Sequence, residues 1–201
     1  SNNALGNHLL AQKIKESNTV FIWNGSEVGC FWVIEICETF NIPYCVFERG
    51  LFPQKKSNYM VDRKGICCRS ESLKEKYLDK NNKEESLKIV KKHYKDIGVE
   101  RIDPSSKVVF VLQLEFDSTV YHYSFYKNNE EMVDDFIKKQ SINPKDVVIC
   151  PHPRNKNITS KYKISDQSTI KECQDASLAV GISSTTMYEI MGIGCPVFVL
   201  G

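Results

Sequence analysis

Residues 178–200 read LAVGISSTTMYEIMGIGCPVFVL, and this stretch contains a strand, a helix and a second strand. Leu178-Ala-Val180 is a short apolar run, Thr185 to Ile193 has the composition of a helix, and Pro196 to Leu200 is apolar again. Strands that are apolar almost throughout are buried on both faces, and their alternation with helices predicts a parallel sheet covered on both sides.

The same alternation extends upstream. Lys107 to Leu112 and Val147-Val-Ile-Cys150 are further strand candidates, with helix-like stretches at Met132 to Gln140 and Thr169 to Asp175. Nearer the start, Val20-Phe-Ile-Trp23 and Tyr44-Cys-Val-Phe47 flank a helical stretch from Glu27 to Phe40. The region from Ser70 to Ser106 differs. Glu71 to Asp79 and Glu84 to Gly98 predict charged helices, Asn81-Asn82 breaks them, and Asp103-Pro-Ser-Ser106 closes the region. Its lysine-rich faces are read as solvated surface. The expected organisation is an α/β chain of two Rossmann-like units. The first covers residues 1–104, with a helical linker from about residue 70, and the second covers 105–201. The chain ends on a strand and its first unit is short, so a truncated core is expected.

Composition narrows the function classes. With 41% hydrophobic and 26% charged residues, the 201-residue chain is that of an ordinary globular protein. Its formal net charge of +2 gives no electrostatic footprint for nucleic acid. No apolar run approaches the about 18 residues that a membrane span needs. The eight cysteines include no Cys-x-x-Cys pair, and several sit in apolar runs. They are expected to be free thiols of a cytoplasmic protein, and no metal site is expected.

Ligands of open parallel sheets bind beyond the carboxyl ends of the strands. Each candidate strand here runs into polar residues: Asn24-Gly25, Glu48-Arg49-Gly50, Gln113-Leu-Glu-Phe-Asp117, Pro151-His152-Pro153-Arg154, and Gly181-Ile-Ser183-Ser184-Thr185-Thr186. Five such loops on one edge suggest a site. The hydroxyl run Ser183 to Thr186 opens a helix and suits a phosphate, although Thr186-Met-Tyr-Glu189 also reads as a capping box. Glu189, one turn in, could accept hydrogen bonds from ribose hydroxyls. His152, stiffened by prolines on both sides, could donate to a phosphate oxygen, or could simply occupy a rigid turn. Glu48 and Asp117 form a carboxylate pair of the kind that glycosyl chemistry uses. A surface ion pair for Glu48 and a turn cap for Asp117 are the alternatives.

These motifs, in this order, resemble the capsule polysaccharide biosynthesis family, whose best understood members are retaining β-Kdo glycosyltransferases that use CMP-Kdo. The matching stretches are Phe47-Glu-Arg-Gly50 with Pro53, Asp62-Arg-Lys-Gly65, Gln113 to Asp117, Pro151-His-Pro153, and Ser183 to Glu189 leading into Gly194-Cys-Pro-Val197. The resemblance implies a GT-B fold with Glu48 and Asp117 facing one cleft between the units. It implies Asp117 as nucleophile and Glu48 as the second catalytic carboxylate. His152, Arg154, Gln113, Ser183, Ser184, Thr185 and Glu189 would hold the donor, with Asn24, Gly25 and Arg49 in the same cleft. It implies no metal and no cofactor. The partners would be a nucleotide sugar and a glycan or glycolipid acceptor, at the cytoplasmic face of a bacterial inner membrane. Family members have more chain before Ser1 and after Gly201. They also carry a lysine before the His-Pro pair where this chain has Cys150-Pro151.

CMP-sialic acid transferases and CDP-glycerol polymerases share the His-Pro and hydroxyl motifs; Glu48-Arg-Gly50 and Gln113 to Asp117 favour the Kdo type. A non-catalytic polysaccharide-export scaffold is the reading from a different class, and the presence of Glu48, Asp117 and His152 argues against it.

Overall fold

The computed structural model describes residues 2–25, 28–50, 59–65, 70–71, 83–96, 98–117, 120, 124–155 and 158–200. The expected helix beyond Glu71, the Asn81-Asn82 break, Pro53, Cys67 and Cys68 lie outside the described residues. The chain divides into two compact units, Ser1–Lys80 and Asn81–Gly201.

In the first unit, helix α1 (Asn2–Lys15) precedes strand β1 (Val20–Trp23), and helix α2 (Val28–Thr39) leads into strand β2 (Tyr44–Arg49). The two strands pair in parallel, Val20 opposite Tyr44 and Trp23 opposite Phe47. A third strand, β3 (Tyr59–Asp62), adds to β2 antiparallel. Ile14, Ile22, Ile34, Cys37 and Val46 form one buried cluster between the helices and one sheet face. The residues of opposite parity, Phe21, Trp23, Tyr59 and Val61, are exposed. Cover on both faces was expected; among the described residues of this unit it is present on one.

Two motifs here have structural explanations. Asn24 and Gly25 both have φ of 69°, the left-handed turn region that Asn and Gly tolerate. A Cβ on Gly25 would lie 2.6 Å from Cγ1 of Val46, so glycine is required twice over. Asp62 is buried and accepts four hydrogen bonds: from the N–H groups of Lys64 (2.7 Å), Gly65 (3.1 Å) and Glu71 (3.1 Å), and from the Ser70 hydroxyl (2.7 Å). That set satisfies a buried carboxylate and makes the Asp62-Arg-Lys-Gly65 turn an anchor.

The second unit holds a five-stranded sheet in the order β6-β5-β4-β7-β8, parallel throughout. The strands are β4 (Val108–Val111), β5 (Val147–Cys150), β6 (Lys163–Ile164), β7 (Leu178–Gly181) and β8 (Val197–Val199). All four residues of β4 and of β5 are buried, as their apolar runs predict. Helix α4 (Asn129–Gln140), numbered after a helix of residues 83–96 described below, buries Met132, Val133, Phe136 and Ile137 against the sheet. Asn128 caps it by accepting from the Glu131 N–H. Helices α5 (Thr169–Glu172) and α6 (Thr186–Gly192) connect the later strands. Numbered within the unit, the strands run 3-2-1-4-5, the Rossmann order, with its switch point between β4 and β7.

The division falls at Lys80/Asn81, not at residue 104. Helix α3 (Lys83–Asp96), read as linker, belongs to the second unit because one of its faces is apolar and packs on α6. Tyr94 is 4% exposed and its ring abuts Gly192, where an added Cβ would come within 2.6 Å of Cε2. Lys88, Lys91, Lys92 and Lys95 face solvent, as expected. Arg101 then ties the following segment down. Its guanidinium donates to the carbonyls of Cys173 (2.8 Å), Gln174 (3.1 Å) and Ala176 (2.6 Å).

Candidate site at the carboxyl edge of the second sheet

Register places three of the expected loops side by side. Val111 of β4 pairs with Cys150 of β5 on one side and with Gly181 of β7 on the other. Gln113, His152 and Ser183 each stand two residues beyond these partners. They therefore leave the sheet at one level, with neighbouring strands about 5 Å apart. Gly181 is where the chain turns close to β4: a Cβ there would lie 3.1 Å from the Val111 carbonyl and 3.2 Å from the Met187 sulfur.

The segment that leaves β4 is braced by the start of α4. Asn129 Nδ2 donates to the Gln113 carbonyl (2.9 Å), and the Asn129 N–H donates to Oε1 of Glu115 (3.3 Å). The Asp117 N–H closes a turn onto the Leu114 carbonyl (2.9 Å), and Asp117 itself is half-buried. Its sequel, Ser118-Thr119, lies outside the described residues.

His152 is held by its own loop. The Arg154 N–H donates to its Nδ1 at 3.2 Å, so Nδ1 carries the lone pair and the neutral ring holds its proton on Nε2. Burial first, and the Arg154 charge second, hold the His152 pKa below the ordinary histidine value; the Asp117 carboxylate pushes the other way. At neutral pH the ring is thus an uncharged Nε2–H donor. The Arg154 side chain is exposed.

At the β7–α6 junction the hydroxyl run is only lightly used by the fold. Thr185 is the first residue before α6 and makes no side-chain cap bond, and Ser184 Oγ accepts a long 3.4 Å bond from the Thr186 N–H. The helix begins at Thr186, so Thr185 and not Thr186 holds the cap position. Ser183 Oγ is buried and has no hydrogen-bond partner among the described residues. Such an orphaned hydroxyl costs about 1–3 kcal/mol, and its position beside Gln113 and His152 suits an anionic oxygen. Because α6 has only seven residues, its dipole carries less of this argument than the hydroxyls do. Glu189 is half-buried in the first turn of α6, near Tyr94 of α3.

In the first unit, Glu48 and Arg49 lie within β2 and not in a loop after it, paired with Met60 and Tyr59 of β3. The strand runs on because the antiparallel β3 supplies partners that the sequence pattern concealed. Glu48 is half-buried and its Oε1 accepts from the Arg49 N–H (2.7 Å). Asn24, half-buried, occupies the turn over Val46 with Gly25.

No group of three or more metal-ligating side chains occurs among the described residues, and the six cysteines there are free thiols. No helix of the described residues is long and apolar enough to cross a membrane. A hollow of about 480 Å³ on α4, lined by Phe125, Tyr126, Glu131, Asp134, Asp135 and Lys138, has three carboxylates against one lysine and does not suit a phosphate.

No protein-family model matches the chain, and no curated protein matches its sequence. Solved structures do. The β-Kdo 2,7 transferase of Thermosulfurimonas dismutans KpsC superposes with a TM-score of 0.67 at 19% identity, covering 96% of this chain and 68% of that one. Its β-Kdo 2,4 transferase gives 0.61 at 14% identity, covering 90% and 68%. The chain has the KpsC fold. The likeness covers residues of both α/β units of this chain.

Proposed function

We propose that this chain is a glycosyltransferase that takes Kdo from CMP-Kdo, with retention, and passes it to a bacterial surface-polysaccharide or glycolipid acceptor. The observation that carries this reading is the level alignment of Gln113, His152 and Ser183 around the Rossmann switch point, with a buried, unpartnered Ser183 hydroxyl among them. The KpsC fold supports the choice of sugar.

In this reading His152 Nε2–H and the hydroxyls of Ser183, Ser184 and Thr185 receive the CMP phosphate, with Arg154 supplying positive charge in place of a divalent metal. Gln113 contacts the donor and Glu189 receives the ribose hydroxyls. Asp117 attacks the anomeric carbon; the bond to the phosphate oxygen breaks and CMP leaves with the electron pair. The product is a glycosyl ester of Asp117. An acceptor hydroxyl then attacks the same carbon, Glu48 takes its proton, and the Asp117 carboxylate is released. Two displacements restore the original anomeric configuration.

A thermal-shift comparison of CMP, CDP and UDP tests the nucleotide. Stabilisation by CMP above the other two is the expected result. Preference for UDP would overturn the reading, and preference for CDP would move it to a glycerol-phosphate polymerase.

A further inference from the structure

Among the described residues, one face of the first unit's sheet is open, and aromatic side chains occupy it. Phe21 and Trp23 of β1, Phe47 and Arg49 of β2, and Tyr59 and Val61 of β3 share that face by strand alternation and register. Strand β2 is central, with Phe47 between Trp23 and Val61 and with Arg49 opposite Tyr59. Phe21 is 70% exposed, Trp23 53% and Tyr59 57%. The Phe21 and Phe47 rings meet at 5.7 Å, and the Trp23 ring reaches across β2 to meet Tyr59 edge-on at 6.0 Å. A contiguous exposed patch of this kind marks a binding surface.

We propose that this face is a binding platform for an oligosaccharide that carries carboxylates. Three strands wide and four residues long, it spans about 10 Å in each direction. That falls far short of the roughly 800 Å² per partner that a stable protein interface buries, so it does not suit a second copy or a folded partner. It does suit sugar rings. The C–H groups on one face of a pyranose are apolar and slightly positive, and they lie against the negative face of an aromatic ring while the hydroxyls stay in water. Arg49, exposed on the same face, offers a planar pair of donors to a carboxylate. The face ends at the strand edge that also carries Glu48, the candidate base for an acceptor hydroxyl. The acidic class of sugar rests on the glycosyltransferase reading above, in which the chain being built contains a sugar acid.

The test is a saturation-transfer NMR titration of the whole chain with a Kdo trisaccharide and with maltotriose, a neutral chain of the same length. The unsubstituted chain should bind the Kdo trisaccharide more tightly. Trp23→Ala and Tyr59→Ala should each weaken that binding about tenfold, the loss of one stacked ring, and should leave CMP affinity unchanged. Arg49→Gln should bring the Kdo trisaccharide down to the affinity of maltotriose. Binding of neither sugar, or unchanged binding in both aromatic variants, would overturn the platform. So would a dimer in sedimentation equilibrium that Trp23→Ala abolishes, since a second copy would then occupy the face. If the platform fails while CMP still binds in preference to UDP, the nucleotide reading stands. A chain that binds the trisaccharide through Trp23 and Tyr59 but prefers UDP would overturn the nucleotide reading and keep the platform.

Discussion

Asp117 and His152 are coupled across two adjacent strand ends: the Asp117 carboxylate works against the burial and the Arg154 charge that lower the His152 pKa. A candidate nucleophile thus partly offsets the two influences that keep the candidate phosphate donor neutral. Asp117→Asn should move the His152 pKa further down. An NMR titration of the imidazole resonances measures this, and an unchanged pKa would separate the two residues.

The same histidine gives a pH dependence of stability. Its folded pKa lies below the unfolded value of about 6.5, so the unfolded chain binds more protons between the two values. The contribution of His152 is fully present above about pH 6.5. It declines as the pH falls from there through the lowered folded pKa, and then levels off. His152→Gln should flatten this part of a stability–pH curve measured by urea denaturation.

His152→Ala should weaken CMP binding by about 1–3 kcal/mol, the range of a hydrogen bond to a charged group. Calorimetry that finds unchanged affinity would remove His152 from the nucleotide site.

Arg101 supplies the test of where the second unit begins. Arg101→Ala leaves three carbonyls without their donor and should cost about 2–4 kcal/mol of stability. A fragment of residues 81–201 should melt cooperatively and well above one of residues 105–201, which lacks both α3 and Arg101. Equal melting temperatures would return that segment to a linker.

Gly25→Ala should destabilise the first unit by about 2 kcal/mol or more. It combines a left-handed backbone with a methyl group 2.6 Å from Val46. Thermal denaturation measures the loss.

The second sheet was legible because its strands are buried on both faces: Val108–Val111 and Val147–Cys150 show as unbroken apolar runs. Strand β3 was not, since it adds antiparallel at an edge with Tyr59 and Val61 exposed and only Asp62 fully buried. That omission is also why Glu48 and Arg49 were read as a loop. Helix α1 escaped notice because its Leu9 and Leu10 are exposed and, among its described side chains, Ile14 is the one that joins the core. In the candidate site, the residue types at the strand ends could be read directly. The Nδ1 acceptor role of His152 and the Asn129 brace could not, because each depends on groups brought together by packing.

The most direct measurement is intact-mass spectrometry of the protein after incubation with CMP-Kdo, compared with Asp117→Asn and Glu48→Gln. The account predicts a mass gain of one Kdo residue on the unsubstituted protein and no gain on Asp117→Asn. On Glu48→Gln it predicts a gain that persists when acceptor is added. A gain that survives in Asp117→Asn, or that maps to another residue, would contradict the account.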